Sequence, residues 1–106
     1  RLLRIASNEL AAAQEQMLLL GRKTAREKIA SFLLMLSKRA QHRGQAADPV
    51  LVPMSRTDIG DYLGLTTETV SRTFTQLKQD GTIQLLPNHE VRLARREVLE
   101  EIAGGF

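Results

Sequence analysis

The residues best suited to chemistry in this 106-residue chain are Glu68, Ser71, Arg72 and Thr75, which recur at i, i+3, i+4 and i+7 within Thr66-Thr67-Glu68-Thr69-Val70-Ser71-Arg72-Thr73-Phe74-Thr75-Gln76-Leu77. On a helix this spacing puts all four on one face, while Val70, Phe74 and Leu77 fall together on another. The first set pairs an acceptor-only carboxylate and a five-donor guanidinium with short hydroxyls that allow close approach. Such a set can hydrogen-bond to base edges: Arg72 can donate twice to a guanine, Glu68 can accept from a cytosine or adenine amino group, and Ser71 can approach a thymine. The competing explanation is an ordinary i,i+4 ion pair between Glu68 and Arg72 on a solvated face, worth only ~0.2–0.5 kcal/mol.

The elements that must position these residues favour the first explanation. Ser55-Arg56-Thr57-Asp58 has the S-x-x-D form that starts a helix, with Ile59, Tyr62 and Leu63 as its expected apolar face. That helix is expected to stop at Gly64, and the next to start with Thr66 as N-cap, leaving a short glycine turn between them. The arrangement is a helix-turn-helix, whose second helix, about 66–80, enters the DNA major groove by its first turns. Hydroxyls and cations at the helix starts are suited to phosphates, namely Ser55, Arg56, Thr57, Thr66, Thr67 and Thr69, and Thr75 further along the second helix is assigned to the backbone with them.

Asp80-Gly81 is a stop signal. The alternation in Thr82-Ile83-Gln84-Leu85-Leu86, the turn Pro87-Asn88-His89 and the return Glu90-Val91-Arg92-Leu93 predict a β-hairpin. A hairpin directly after a helix-turn-helix is a wing, about 82–94, and places Arg92 against the phosphate backbone. Upstream, Ala25, Ile29, Phe32, Leu33 and Leu36 form a second helical stripe, with Arg26, Glu27, Lys28, Lys38 and Arg39 expected outside it. Gln41 to Asp48 reads as a polar loop. Pro49 to Met54 reads as an edge strand, because prolines bracket a short apolar run. Arg95 to Ile102 reads as a closing helix. The fold class that follows is mainly α with a small β-hairpin, a winged helix-turn-helix over 22–106.

The N-terminal residues 1–21 carry a different pattern. Leu3, Ala6, Leu10, Ala13, Met17 and Leu20 are spaced 3, 4, 3, 4, 3, an unbroken a/d seam along which two helices can zip. This segment is expected to be the C-terminal part of a longer dimerisation helix, and the chain to form a homodimer; the competing reading is an amphipathic helix lying on its own domain, since Leu2, Ile5, Leu18 and Leu19 widen the apolar face beyond the strict seam.

Composition narrows the remaining classes. Fifteen Lys and Arg against twelve Asp and Glu give a formal net charge of +3, which leans toward a polyanionic partner such as double-stranded DNA. The chain has no cysteine, so disulfides, thiol catalysis and thiolate metal sites are excluded. His42 and His89 stand alone in predicted loops and read as solvated polar residues, so no metal site is expected. Asp58 and Asp61 read as helix-start and surface residues, and no convergent acid, base or nucleophile set is present; no catalytic residues are assigned. No apolar run approaches a membrane span, which makes a cytoplasmic protein without a membrane partner the expectation.

The run Asp58-Ile59-Gly60-Asp61-Tyr62-Leu63-Gly64-Leu65-Thr66-Thr67-Glu68-Thr69-Val70-Ser71-Arg72 resembles the DNA-binding signature of the bacterial Crp/Fnr transcription regulators, in the Fnr and FixK branch that carries E-x-x-S-R. Gln16 to Lys28 is similar to that family's junction between dimerisation helix and DNA-binding domain. The resemblance implies a homodimer on a palindrome with TTGA-type half-sites, read by Glu68, Ser71 and Arg72, with RNA polymerase as a further partner. It also implies that the signal is sensed by a β-roll domain outside this chain, so no cofactor is expected here. Ala13 departs from the oxygen-sensing Fnr proteins, which carry an acidic residue at this place in the seam, and favours a FixK-like reading.

Overall fold

The computed structural model describes residues 24–104. The predicted seam of Leu3, Ala6, Leu10, Ala13, Met17 and Leu20 lies outside the described residues. Helix α1 spans Ala25–His42 and is followed by strand β1, Val50–Leu51. Helices α2, Arg56–Leu63, and α3, Thr67–Gln79, come next. Strands β2, Gln84–Leu85, and β3, Glu90–Arg92, lead to helix α4, Arg96–Ile102.

Each long helix begins where a hydroxyl can occupy an unpaired backbone N–H. Thr24 caps α1 in a reciprocal box, its Oγ1 accepting from Glu27 N at 3.2 Å and its own N donating to Glu27 Oε1 at 3.1 Å. Ser55 caps α2 and Thr66 caps α3, in both cases by accepting from the N–H three residues on, at 3.0 and 3.1 Å. The apolar stripes then bury. Ile29, Phe32, Leu33 and Leu34 of α1 meet Ile59 and Leu63 of α2, Val70, Phe74 and Leu77 of α3, and Leu99 of α4 in one cluster closed by Val50, Val52, Ile83, Val91 and Leu93. A fully buried side chain of this size contributes ~1.5–3 kcal/mol relative to leaving it in water, so this cluster holds the fold.

The expected hairpin is present, and the bracketed run joins it. The sheet is three-stranded in the order β1-β3-β2 with both pairings antiparallel, so β1 does occupy an edge. Val50 and Leu85 both face Val91 across the ladder. The connection between β2 and β3 is tied by Leu86 N to Glu90 O at 2.9 Å and turns on Asn88 and His89, with φ of 64° and 62°.

Four local expectations are corrected. The strict alternation read from Thr82 fails, because Thr82 and Ile83 are both buried and the regular strand is confined to Gln84–Leu85. The reason is that the N–H groups of Thr82 and Ile83 both bond to the Leu77 carbonyl, which wraps this stretch around the end of α3 before the strand begins. Helix α1 continues through His42, so His42 closes a helix instead of standing in the loop. Tyr62, expected on the buried face of α2, is 53% exposed; it covers the edge of the core, with its ring 5.9 Å from that of Phe32. Lys28, expected outside the α1 stripe, is buried at 9% exposure because α1 has neighbours on more than one side.

Candidate nucleic-acid interface

The two helices of the motif are set against each other by a turn with little tolerance. Gly64 caps α2 in the left-handed conformation, φ 72°, and its N–H bonds to Gly60 O. Leu65 N reaches the same carbonyl at 2.8 Å. Gly60 lies in the middle of an eight-residue helix, where glycine costs roughly 0.5–1 kcal/mol relative to alanine. The compensation is proximity: a Cβ there would run into the Leu65 carbonyl oxygen. An interior glycine is the sequence signal for such a close approach, and helix-start reasoning alone passes over it.

With the turn so fixed, α3 divides cleanly. Val70, Thr73, Phe74 and Leu77 are buried, whereas Glu68, Ser71, Arg72 and Thr75 are exposed. The spacing in the sequence predicts this division, and the structure brings the four residues onto one open face. The ion pairs among the described residues join Arg26 to Asp80 and Arg96 to Glu100. Among the described residues Glu68 and Arg72 do not pair with each other, and neither side chain is engaged in an ion pair there. Thr75 is partly committed, since its hydroxyl donates to the Ser71 carbonyl at 3.0 Å.

The hydroxyls at the helix starts form a connected group. Thr57 Oγ1 and Thr67 Oγ1 are 3.2 Å apart and join the first turn of α2 to that of α3. Thr66 Oγ1 accepts from Thr69 N and donates to Thr69 Oγ1 at 2.8 Å. A hydroxyl carries one donor and two lone pairs, so Thr69 keeps its own proton for an external acceptor. Ser55, Thr57, Thr66 and Thr67 are exposed, and Thr69 is half-buried. Two helix N-termini with adjacent hydroxyls present donors and positive dipole ends to an anion.

Arg56 is not a plain surface cation. Its guanidinium carbon lies 3.8 Å from the centroid of the buried Phe74 ring, and burial pushes its pKa below the usual arginine range. Stacking uses the face of the guanidinium and leaves its N–H edge available. Arg92, on β3, is exposed, and a groove between the sheet and the start of α2 is lined by Met54, Ser55, Arg56, Leu85, His89 and Glu90.

Sequence reasoning missed Arg26 and Lys28 as well as Gly60. Arg26 Nη2 lies 2.7 Å from Asp80 Oδ2, and Lys28 Nζ donates to the Leu63 carbonyl at 3.1 Å. Among the described residues no group of three or more His, Cys, Asp or Glu side chains could hold a metal ion, and no helix is long and apolar enough to cross a membrane.

Comparison with known proteins agrees with this geometry. Residues 27–102 match the family model described as a Crp-like helix-turn-helix domain. The transcriptional activator protein FnrA of Stutzerimonas stutzeri is 48% identical over 105 residues, covering 99% of this chain and 43% of that protein. The nitrogen fixation regulation protein FixK of Bradyrhizobium diazoefficiens is 51% identical over 86 residues, covering 81% of this chain and 36% of its own length. The solved structure of FixK2 from Bradyrhizobium japonicum superposes with a TM-score of 0.76 at 43% identity, covering 93% of this chain and 48% of that one. The chain thus spans less than half the length of each of these relatives.

Proposed function

The chain belongs to the Crp/Fnr family through its Crp-like helix-turn-helix domain, and we propose that it is the DNA-reading part of a FixK-like transcription regulator that binds a TTGA-type palindrome as a homodimer. The observation that carries this reading is the exposed face of α3, where Glu68, Ser71 and Arg72 lie open beside two hydroxyl-rich helix starts. Glu68 and Arg72 read base edges in the major groove, Arg72 by two donors to a guanine and Glu68 by accepting an amino proton. Ser55, Thr57, Thr66, Thr67 and Thr69 hold phosphates at the start of α2 and α3, Arg56 adds its free guanidinium edge, and Arg92 meets the backbone from the wing. Phosphate contacts set register, and base contacts set sequence.

The a/d spacing of Leu3, Ala6, Leu10, Ala13, Met17 and Leu20 in the sequence supports the homodimer, since such a pattern is the one by which two like helices zip together. A two-fold dimer offers one α3 to each half of a palindrome, with the half-site centres about one helical turn, roughly 34 Å, apart. RNA polymerase is the partner that a transcription activator on such a site would meet, and FnrA of Stutzerimonas stutzeri is named a transcriptional activator. Sensing is assigned to sequence outside this chain, and no cofactor is assigned to these residues.

Titration of the Glu68→Ala and Arg72→Ala variants against every single-base change in a TTGA palindrome tests the reading. Each substitution is expected to cost ~1–3 kcal/mol on the intact site and far less on random DNA, with preference relaxed at one base pair of each half-site. The same titration gives stoichiometry, expected at two chains per palindrome. Equal losses across all base variants would sink the base-reading roles, and one chain per palindrome would sink the homodimer.

A further inference from the structure

Helix α1 holds both helices of the motif from its first two turns. Its start is defined by the Thr24–Glu27 capping box, and within four residues of that cap it sends out two long side chains. Lys28 Nζ donates to the carbonyl of Leu63, the last residue of α2, at 3.1 Å. Arg26 Nη2 donates to the carboxylate of Asp80, the C-cap of α3, at 2.7 Å. The first contact fastens the turn from which α3 departs, and the second fastens the end at which α3 finishes.

The chemistry of each contact suits that task. The Leu63 carbonyl is one of the four that a helix end leaves without an internal partner. Lys28 is only 9% exposed, so its ammonium is committed to this region of the fold and withdrawn from solvent and phosphates. A Cβ on Gly64 would lie 3.9 Å from Lys28 Nζ, which places the ammonium against the left-handed residue that redirects the chain into α3. An apolar side chain of the same length would fill the space and leave the carbonyl unpaired. The Arg26–Asp80 pair is more open, its side chains 35% and 52% exposed, and such pairs add little to stability. Its consequence is geometric: a charge-assisted bond between α1 and the C-terminus of α3 restrains the swing of a helix whose other end must enter a groove.

We infer that Arg26 and Lys28 are positioning residues, which set the angle at which α3 presents Glu68, Ser71 and Arg72 and do not themselves touch nucleic acid. The inference rests on the DNA-reading assignment above. A side chain presented at the wrong angle loses the directional bonds to base edges, while diffuse attraction to phosphates survives. The affected quantity is therefore the ratio of affinity for the palindrome to affinity for a random duplex of equal length. Taking the ratio also cancels most of the general effect of altered net charge, which acts on both duplexes.

The test measures that ratio, with thermal unfolding alongside, for Lys28→Met, Arg26→Asp, Asp80→Arg and the exchange Arg26→Asp/Asp80→Arg. Lys28→Met is expected to lower the ratio about tenfold, the loss associated with one orphaned buried acceptor. Arg26→Asp and Asp80→Arg are each expected to lower it roughly threefold, and the exchange to restore it, because coupled partners are non-additive. Ratios unchanged in all single variants, or an exchange no better than either single change, overturn the inference. Should Lys28→Met fail to fold, the exposed Arg26/Asp80 exchange decides by itself. A wild-type chain without preference for the palindrome refutes the DNA-reading assignment itself, whereas a selective wild type with unaltered variants refutes the positioning role alone.

Discussion

Helices α1 and α3 use their polar side chains in opposite ways. α1 packs against α3, α4 and β1, so polar groups on several of its sides meet protein. Lys28 caps α2; Ser37, fully buried, donates to the Ala47 carbonyl at 2.6 Å and accepts from Arg96 Nη1 at 2.9 Å. α3 meets the core along one stripe only. Its buried polar residue, Thr73, bonds back to the Thr69 carbonyl at 2.7 Å, and the far side keeps Glu68, Ser71 and Arg72 uncommitted among the described residues. A helix whose polar groups are already bonded inside the fold acts as a scaffold. A helix with a solid apolar face and unused donors and acceptors on the other is a rigid support for recognition, since its side chains lose little order when a ligand arrives.

This division separates substitutions that disturb the support of α3 from those that disturb contact with DNA, and each kind registers in a different measurement. The largest effect is expected from Phe74→Ala, which empties a site 1% exposed and removes the ring under Arg56. It should cost ~3–5 kcal/mol in urea or thermal unfolding. A loss under 1 kcal/mol would show that the inner face of α3 is not a structural anchor. Gly60→Ala comes next. Its Cβ must displace the Leu65 carbonyl, so a loss of ~1–3 kcal/mol is expected, against the gain that alanine brings to an unhindered helix. A stabilised Gly60→Ala protein would mean that the turn between α2 and α3 is free to adjust, and the fixed presentation of α3 would be lost with it. The smallest effect sharpens the division between positioning and reading. Removing Arg92, exposed on the wing, should weaken all duplexes alike and flatten the dependence of log affinity on log salt by about one unit, with stability unchanged. A changed sequence preference on Arg92→Ala would move the wing into the reading surface.

Local signals made much of this molecule legible before folding. Ser55 and Thr66 begin helices because a short hydroxyl three residues ahead of an N–H is a contact that neighbouring residues alone determine. Val70, Phe74 and Leu77 against Glu68, Ser71 and Arg72 follow from the helical period, and Gly64 as a left-handed stop follows from its missing Cβ. What tertiary structure alone decided are the contacts between residues far apart in the chain. Periodicity tells which side of a helix is apolar, but not how many neighbours surround it, so Lys28 reads as a surface cation and is buried against a carbonyl 35 residues away. The Arg26–Asp80 pair spans 54 residues, and Arg56 finds Phe74 only after α2 and α3 have packed. Val50 joins Val91 because a short edge strand has no preferred partner until the sheet assembles around the core, and Tyr62 sits at that core's margin because α2 offers it no deeper place.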